Sequence, residues 1–210
     1  NTGDRKIFIG WMSNWAYANI VPTVNWRSAN TVARELAIEK AGNKYLVRSP
    51  PVKELDMLKA TSYNAKNVKA KNINITAKAG KLNGPAILKL TADELKAFNI
   101  TLSNNAGEKV VLGYDKTANH YFIDRSQSGK VDFSKDFGNK IIAPRFSANK
   151  NTDITLVIDV ASVEVFADKG LSVLTAIFFP TSDYTDITIS SKDGFVIKTL
   201  NLSHLNSAWK

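Results

Sequence analysis

The 210-residue sequence contains no cysteine, two histidines and only six arginines. Without cysteine there are no disulfides, thiolate zinc sites, thiol nucleophiles or iron–sulfur clusters. His120 and His204 stand far apart and neither has a neighbour at ligand spacing, so no transition-metal site is indicated. Glycines never gather into a GxGxxG or P-loop pattern and no EF-hand spacing occurs, so no cofactor is expected. No apolar run approaches the roughly 18–20 residues that span a bilayer, and no membrane partner is expected. The opening NTGDRKIFIGW has neither an initiating Met nor an apolar leader with a cleavage site. It reads as a piece trimmed from a longer chain, any export signal lying upstream.

Positive charge, by contrast, is plentiful: 28 Lys plus Arg face 19 Asp plus Glu, a net charge of +9. Nucleic-acid readers usually concentrate basic residues on one face and use arginine forks, whereas here the charge is mostly Lys and spread along the chain. The densest stretch, KNVKAK at 66–71, alternates with small residues and reads as a solvated sheet edge that discourages aggregation. No nucleic-acid partner is expected. A hydrophobic fraction of 44% is that of an ordinary globular chain.

Periodicity is overwhelmingly two. Alternating or β-branched runs fall at 6–10, 31–39, 44–48, 72–79, 86–90, 98–102 and 109–114. They continue at 120–124, 154–160, 163–167, 173–179, 185–190 and 195–200, separated by short clusters of Asn, Gly, Asp, Ser and Lys. The one convincing helical pattern is PVKELDMLK at 51–59, with Pro at a helix start and Val52, Leu55 and Leu58 on one face. Residues 203–208 are expected to add a last helical turn. Ser49-Pro50-Pro51 marks a boundary. The fold class is all-β: a two-sheet antiparallel β-sandwich, jelly-roll or lectin-like, over 61–210. It is preceded by a linker with the short helix at 50–60 and by a remnant β-propeller blade at 1–49.

Three of the four Trp and one Tyr fall in the loop GWMSNWAYANIVPTVNWR, residues 10–27. Clustered aromatic faces suit the apolar faces of sugar rings, and they equally suit a core. Trp11 and Trp26 read as packing residues, whereas Trp15 divides evenly between the two roles. Glycoside hydrolysis needs two carboxylates held a few ångströms apart. Asp124 reads as a turn cap or an ion-pair partner. Asp159 and Glu164 straddle a hairpin reversing at Ala161-Ser162, and cross-strand pairing accounts for both without catalysis.

Several motifs carry a likeness. Ile9-Gly10-Trp11, Asn14-Trp15-Ala16-Tyr17, Pro22-Thr23, Trp26-Arg27 and Arg34-Glu35-Leu36 resemble the end of the propeller in glycoside hydrolase family 32, the invertases, inulinases and levanases. PVKEL at 51–55 resembles that family's linker helix. FIDRSQSG at 122–129, ASVEVF at 161–166 and TAIFFP at 175–180 are similar to its C-terminal sandwich signatures. The resemblance implies a retaining β-fructosidase whose nucleophile lies in an NDPNG-like motif, whose stabilising Asp lies in RDP, and whose acid/base Glu precedes a Cys. None of these occurs here. No catalytic residue is therefore assigned, and the chain is expected to be inactive alone.

Carried over onto this chain, Trp15 matches the loop Trp that helps wall the fructosyl subsite, with Tyr17 beside it as the second substrate-binding candidate, while Arg34 and Glu35 belong to propeller structure. The implied partners are a fructan or sucrose-type carbohydrate, met through the parent enzyme, and the missing N-terminal propeller. Self-association through the blade is a further implied contact. The implied location is secreted or periplasmic. An independent carbohydrate-binding module and a purely structural or oligomerisation domain stand as alternatives. The module predicts exposed aromatics on the sandwich, where Tyr114, Tyr121, Phe122, Phe166, Phe178 and Phe179 mostly read as core and only Tyr63, Tyr184 and Trp209 look free.

Overall fold

The computed structural model describes residues 3–208. Strands β1 (Lys6–Phe8), β2 (Arg34–Ala41) and β3 (Lys44–Arg48) form an antiparallel sheet in that order. A 3-10 helix, Lys53–Leu58, occupies the expected linker position. After it come β4 (Lys59–Asn74), a helical turn Thr76–Ala79, β5 (Ala86–Ala92), β6 (Phe98–Ser103), β7 (Lys109–Asp115) and β8 (His120–Gln127). The chain ends with β9 (Ile141–Pro144), β10 (Thr152–Asp159), β11 (Ser162–Ala167), β12 (Ser172–Ile177) and β13 (Asp186–Leu205).

These later strands make one continuous antiparallel sheet, β12-β11-β10-β5-β13-β6-β7-β8-β9, with β4 also paired to β13. The 20-residue β13 folds it into two layers: residues 186–190 pair with β6 and residues 199–204 with β5. Its register slips between Ser190 and Phe195, where Gly194 takes a left-handed φ of 68°. Such a bulge bends and twists a strand, which is what crossing between layers requires. At the far side β12 returns against β8 and β9, and the Ser172 hydroxyl donates to the Pro144 carbonyl at 2.8 Å. The sheet thus nearly closes around a core that includes Leu88, Leu102, Val110, Ile123, Val163 and Leu202, each under 1% exposed.

Four expectations need correction. The runs at 185–190 and 195–200 are one strand, because Asp193-Gly194 makes a bulge and not a turn. Residues 203–208 form no helical turn, since Ser203 and His204 pair with Ile87 and Ala86. The run at 72–79 is extended only to Asn74, whose side-chain oxygen accepts from the Ala77 N–H (2.9 Å) and starts the turn Thr76–Ala79. The β10–β11 reversal falls at Val160 and Ala161, because Asp159 pairs with Ser162. The lysines of 66–71 are exposed on β4, which pairs only with β13 among the described strands, as expected of a protected edge.

The N-terminal segment meets the sandwich backbone to backbone where Ser49 N–H donates to the Gly170 carbonyl (2.9 Å), while Glu35 N–H to Pro50 (3.0 Å) and Val52 N–H to Ala33 (2.9 Å) tie the linker to β2. Gly170 takes φ 81°, and a Cβ there would lie 2.5 Å from the Pro50 nitrogen. Gly170→Ala is therefore expected to cost more than about 1 kcal/mol and to quicken protease cutting near residues 49–51; a thermal melt with timed digestion checks both. Farther along the sandwich, buried Arg145 and Asp168 form an ion pair (3.0 Å) to which the Tyr121 hydroxyl also donates (3.0 Å). Burial first, and then the Asp168 charge, push the Tyr121 pKa up and keep it a donor. Tyr121→Phe is expected to lose about 1 kcal/mol, read from denaturant midpoints.

Candidate functional site

The loop between β1 and β2 is built on a tight turn. Asn14 accepts the Ala16 N–H at its side-chain oxygen (2.8 Å) and the Tyr17 and Ala18 N–H groups at its carbonyl (3.1 and 2.8 Å). An Asn side chain that mimics backbone in this way closes a turn without help from a neighbour. Trp15 is left at the tip, 85% exposed, its ring centroid 5.0 Å from that of Trp11. Tyr17, two residues on, points the other way and is buried.

Tyr17 inserts edge-on against Phe133 and Phe137, in a cluster completed by Phe179. Its hydroxyl accepts from Arg125 (3.2 Å). That guanidinium is itself buried, donates to the carbonyls of Phe137 (2.8 Å) and Ile177 (2.9 Å), and lies over the Phe137 ring at 3.9 Å. At the loop's other end Trp26 packs beside Phe179, ring centroids 6.1 Å apart. The loop is thus pinned to the sandwich by its aromatics, while Trp15 faces outward.

A second fastening lies beneath. Glu164 on β11 is 1% exposed, accepts the Val32 N–H (2.6 Å), and forms an ion pair with Arg34 of β2. Arg34 also donates to the Thr175 hydroxyl (2.6 Å) and sits over the Phe166 ring. Burial pushes the Glu164 pKa up, against the lowering influence of the Val32 N–H and Arg34. Toward the surface Arg5 bridges Glu35 (2.8 Å) and Glu54, holding the Glu54 carboxyl down to about 2. These groups are exposed enough that little stability rests on them.

Between loop and sandwich runs an open groove of about 480 Å³, lined by Trp11, Asn14, Arg34, Arg125, Asp136 and Asn139 among others. Asp136 is the one carboxylate among its lining residues. The carboxylates singled out from sequence do not converge. Asp124 caps a turn through Ser126 N–H (3.0 Å) and hydroxyl (2.7 Å), Asp159 accepts the Val160 N–H (2.8 Å), and Glu164 holds Arg34. The groove therefore supplies aromatic and hydrogen-bonding surface rather than a carboxylate pair for hydrolysis.

Two family models match the chain: the C-terminal model of glycosyl hydrolases family 32 over residues 53–206, and the N-terminal domain model over residues 1–50. The chain belongs to glycoside hydrolase family 32. It is 32% identical to the levanase of Bacillus subtilis over 215 aligned residues, covering 100% of this chain and 32% of that protein. It is 29% identical to the extracellular exo-inulinase of Aspergillus awamori, covering 90% of this chain and 36% of that protein. The crystal structure of an exo-inulinase from A. awamori superposes with a TM-score of 0.82 at 27% identity, over 97% of this chain and 41% of that one. The β-fructofuranosidase of Schwanniomyces occidentalis shares the fold at a TM-score of 0.78 and 20% identity, over 96% of this chain and 45% of that one. The chain spans about a third of the length of the curated relatives it matches.

The motifs carrying the family 32 likeness meet in space. Arg125 of FIDRSQSG holds Tyr17, Glu164 of ASVEVF holds Arg34, Thr175 of TAIFFP also receives Arg34, and Phe179 backs Trp26. Glu164, which cross-strand pairing within its own hairpin was expected to explain, instead faces the N-terminal segment, as does Arg125. The sandwich aromatics expected in the core are there: Tyr114, Tyr121, Phe122, Phe166, Phe178 and Phe179 are all buried. Tyr184, expected to be free, is buried with its hydroxyl on the Ser128 carbonyl (3.0 Å), and Tyr63 packs partly against the core. Trp209 lies outside the described residues.

Proposed function

We propose that this chain is the non-catalytic C-terminal part of a retaining, fructan-active glycoside hydrolase. It braces a catalytic propeller and extends its substrate cleft. Residues 1–49 serve as the closing blade strands, residues 50–60 as the linker, and residues 61–210 as the brace. The observation that carries this reading is the buried Arg34–Glu164 clasp, which ties a blade-like sheet to the sandwich and leaves the apolar Phe8, Ile38, Tyr45 and Val47 exposed on that sheet. Exposed apolar area of this kind suits a neighbouring blade. Trp15 is the sugar-facing wall, and Tyr17 is the anchor that positions it. The relatives' names, levanase and extracellular exo-inulinase, support a fructan as substrate and a secreted setting.

Purified chain incubated with levan, inulin or sucrose is expected to release no fructose, and release would overturn the non-catalytic assignment. In native gels containing levan or inulin, Trp15→Ala is expected to weaken retardation roughly tenfold, the scale of one lost aromatic contact. Retardation unchanged by that substitution would remove Trp15 from the subsite.

A further inference from the structure

On the outer face of the sandwich, far in sequence from the Trp15 loop, lies a larger groove of about 800 Å³. Its floor is a cross-strand row fixed by register: Asn72 on β4 pairs with Ser190 on β13, Ser190 with Asn99 on β6, Asn99 with Gly113 on β7, and Gly113 with Phe122 on β8. Four interstrand gaps span about 19 Å along the sheet. The row's fourth position, Gly113, is covered closely by its neighbours: a Cβ there would lie 2.2 Å from the Phe98 carbonyl and 2.9 Å from the Phe122 ring, so only glycine fits.

Four lysines line this groove, Lys71, Lys116, Lys140 and Lys192, and all four are exposed. Among the described residues the lysine ion pairs are made elsewhere, by Lys59, Lys81, Lys89, Lys96 and Lys198. The groove's one carboxylate, Asp115, accepts the Ala118 N–H at 2.9 Å. Lys140 places its ammonium 3.8 Å from the Phe122 ring centroid, covering the floor's one aromatic face.

We propose that this groove binds an acidic polysaccharide, a linear glycan carrying carboxylates. Four exposed lysines that make none of those ion pairs supply charge complementarity, and the amides and hydroxyl of Asn72, Asn99 and Ser190 match sugar hydroxyls. Nucleic acid fits less well: the groove offers no arginine forks for phosphate, and the aromatics that line it, Phe98, Tyr114 and Phe122, are all buried. The site is distinct from Trp15 and does not depend on the proposed fructan subsite.

The test is native affinity electrophoresis of the full chain in gels containing polygalacturonate, with neutral levan and a single-stranded DNA oligonucleotide in parallel. Lys116→Gln/Lys140→Gln is compared with Lys66→Gln/Lys69→Gln, which removes the same charge from β4 outside the groove. Far-UV circular dichroism and melting confirm that both variants fold. Retardation by polygalacturonate is expected to weaken with salt, to fall at least fivefold in the groove variant, and to persist in the control. No retardation, equal loss in both variants, or tighter binding of DNA than of polygalacturonate overturns the proposal. The fructan reading is judged separately, by Trp15→Ala in the levan gels.

Discussion

Glu164→Ala is expected to lower the stability of the chain by about 3–5 kcal/mol, the usual cost of removing one partner from a buried ion pair. At this chain length that is a fall in melting temperature on the order of 10 °C. The cost is large because two groups lose their partner together: the buried Arg34 guanidinium and the Val32 N–H. Val32 N–H and Arg34 bond different carboxylate oxygens, so Glu164→Gln keeps an acceptor for one of them, turns an amide N–H toward the other and removes the countercharge; with its bulk retained it is expected to cost less than Glu164→Ala. Denaturant titration reads both variants.

The same carboxylate gives a pH signature. Burial raises its folded-state pKa above the ordinary 4.5, so the folded chain holds that proton more tightly than the unfolded chain. Stability from this group is then full below the ordinary value and falls as pH rises through the window up to the raised one. The stability difference between wild type and Glu164→Gln is expected to shrink across that window and to level off on either side. A difference that grows with pH there would mean the clasp favours the ionised carboxylate outright.

The second large effect is expected at Arg125. Arg125→Met retains bulk against Phe137 but removes the donors to the Phe137 and Ile177 carbonyls and to the Tyr17 hydroxyl. Two buried carbonyls left unpaired at about 1–3 kcal/mol each give a loss of about 2–6 kcal/mol. Hydrogen exchange at the Tyr17, Ala18 and Ile20 amides, which close the Trp15 turn, is expected to accelerate. The adjacent Asp124→Asn is expected to change stability by well under 1 kcal/mol, since Asp124 caps a turn at the surface. Equal losses at the two positions would contradict the inward assignment of Arg125.

That contrast shows how far the sequence could be read. Period-two alternation located most strands and placed Tyr121 and Phe178 in the core, because a half-buried strand writes its inner face at every second residue. The same rule separates Asp124 from Arg125, since neighbours on a strand face opposite sides; with it applied, Arg125 points inward. Asp193-Gly194 was opaque for a different reason: a bulge and a hairpin turn use the same residues, and only the pairing of β13 with both β5 and β6 distinguishes them. Glu164 could not be read locally, because its partner Arg34 lies 130 residues away. The NWAY turn was legible as a loop. That Trp15 points out while Tyr17 points in depended on aromatics from the β8–β9 connection and from the segment just after β12.

The most direct measurement is limited proteolysis of the purified chain, with fragments identified by mass. If the N-terminal sheet and the sandwich are one fixed body, the linker around residues 49–60 resists cutting until global unfolding, and Glu164→Ala is by itself enough to make it labile. Rapid loss of the first fifty residues from the wild-type chain, leaving an intact sandwich, would contradict the brace.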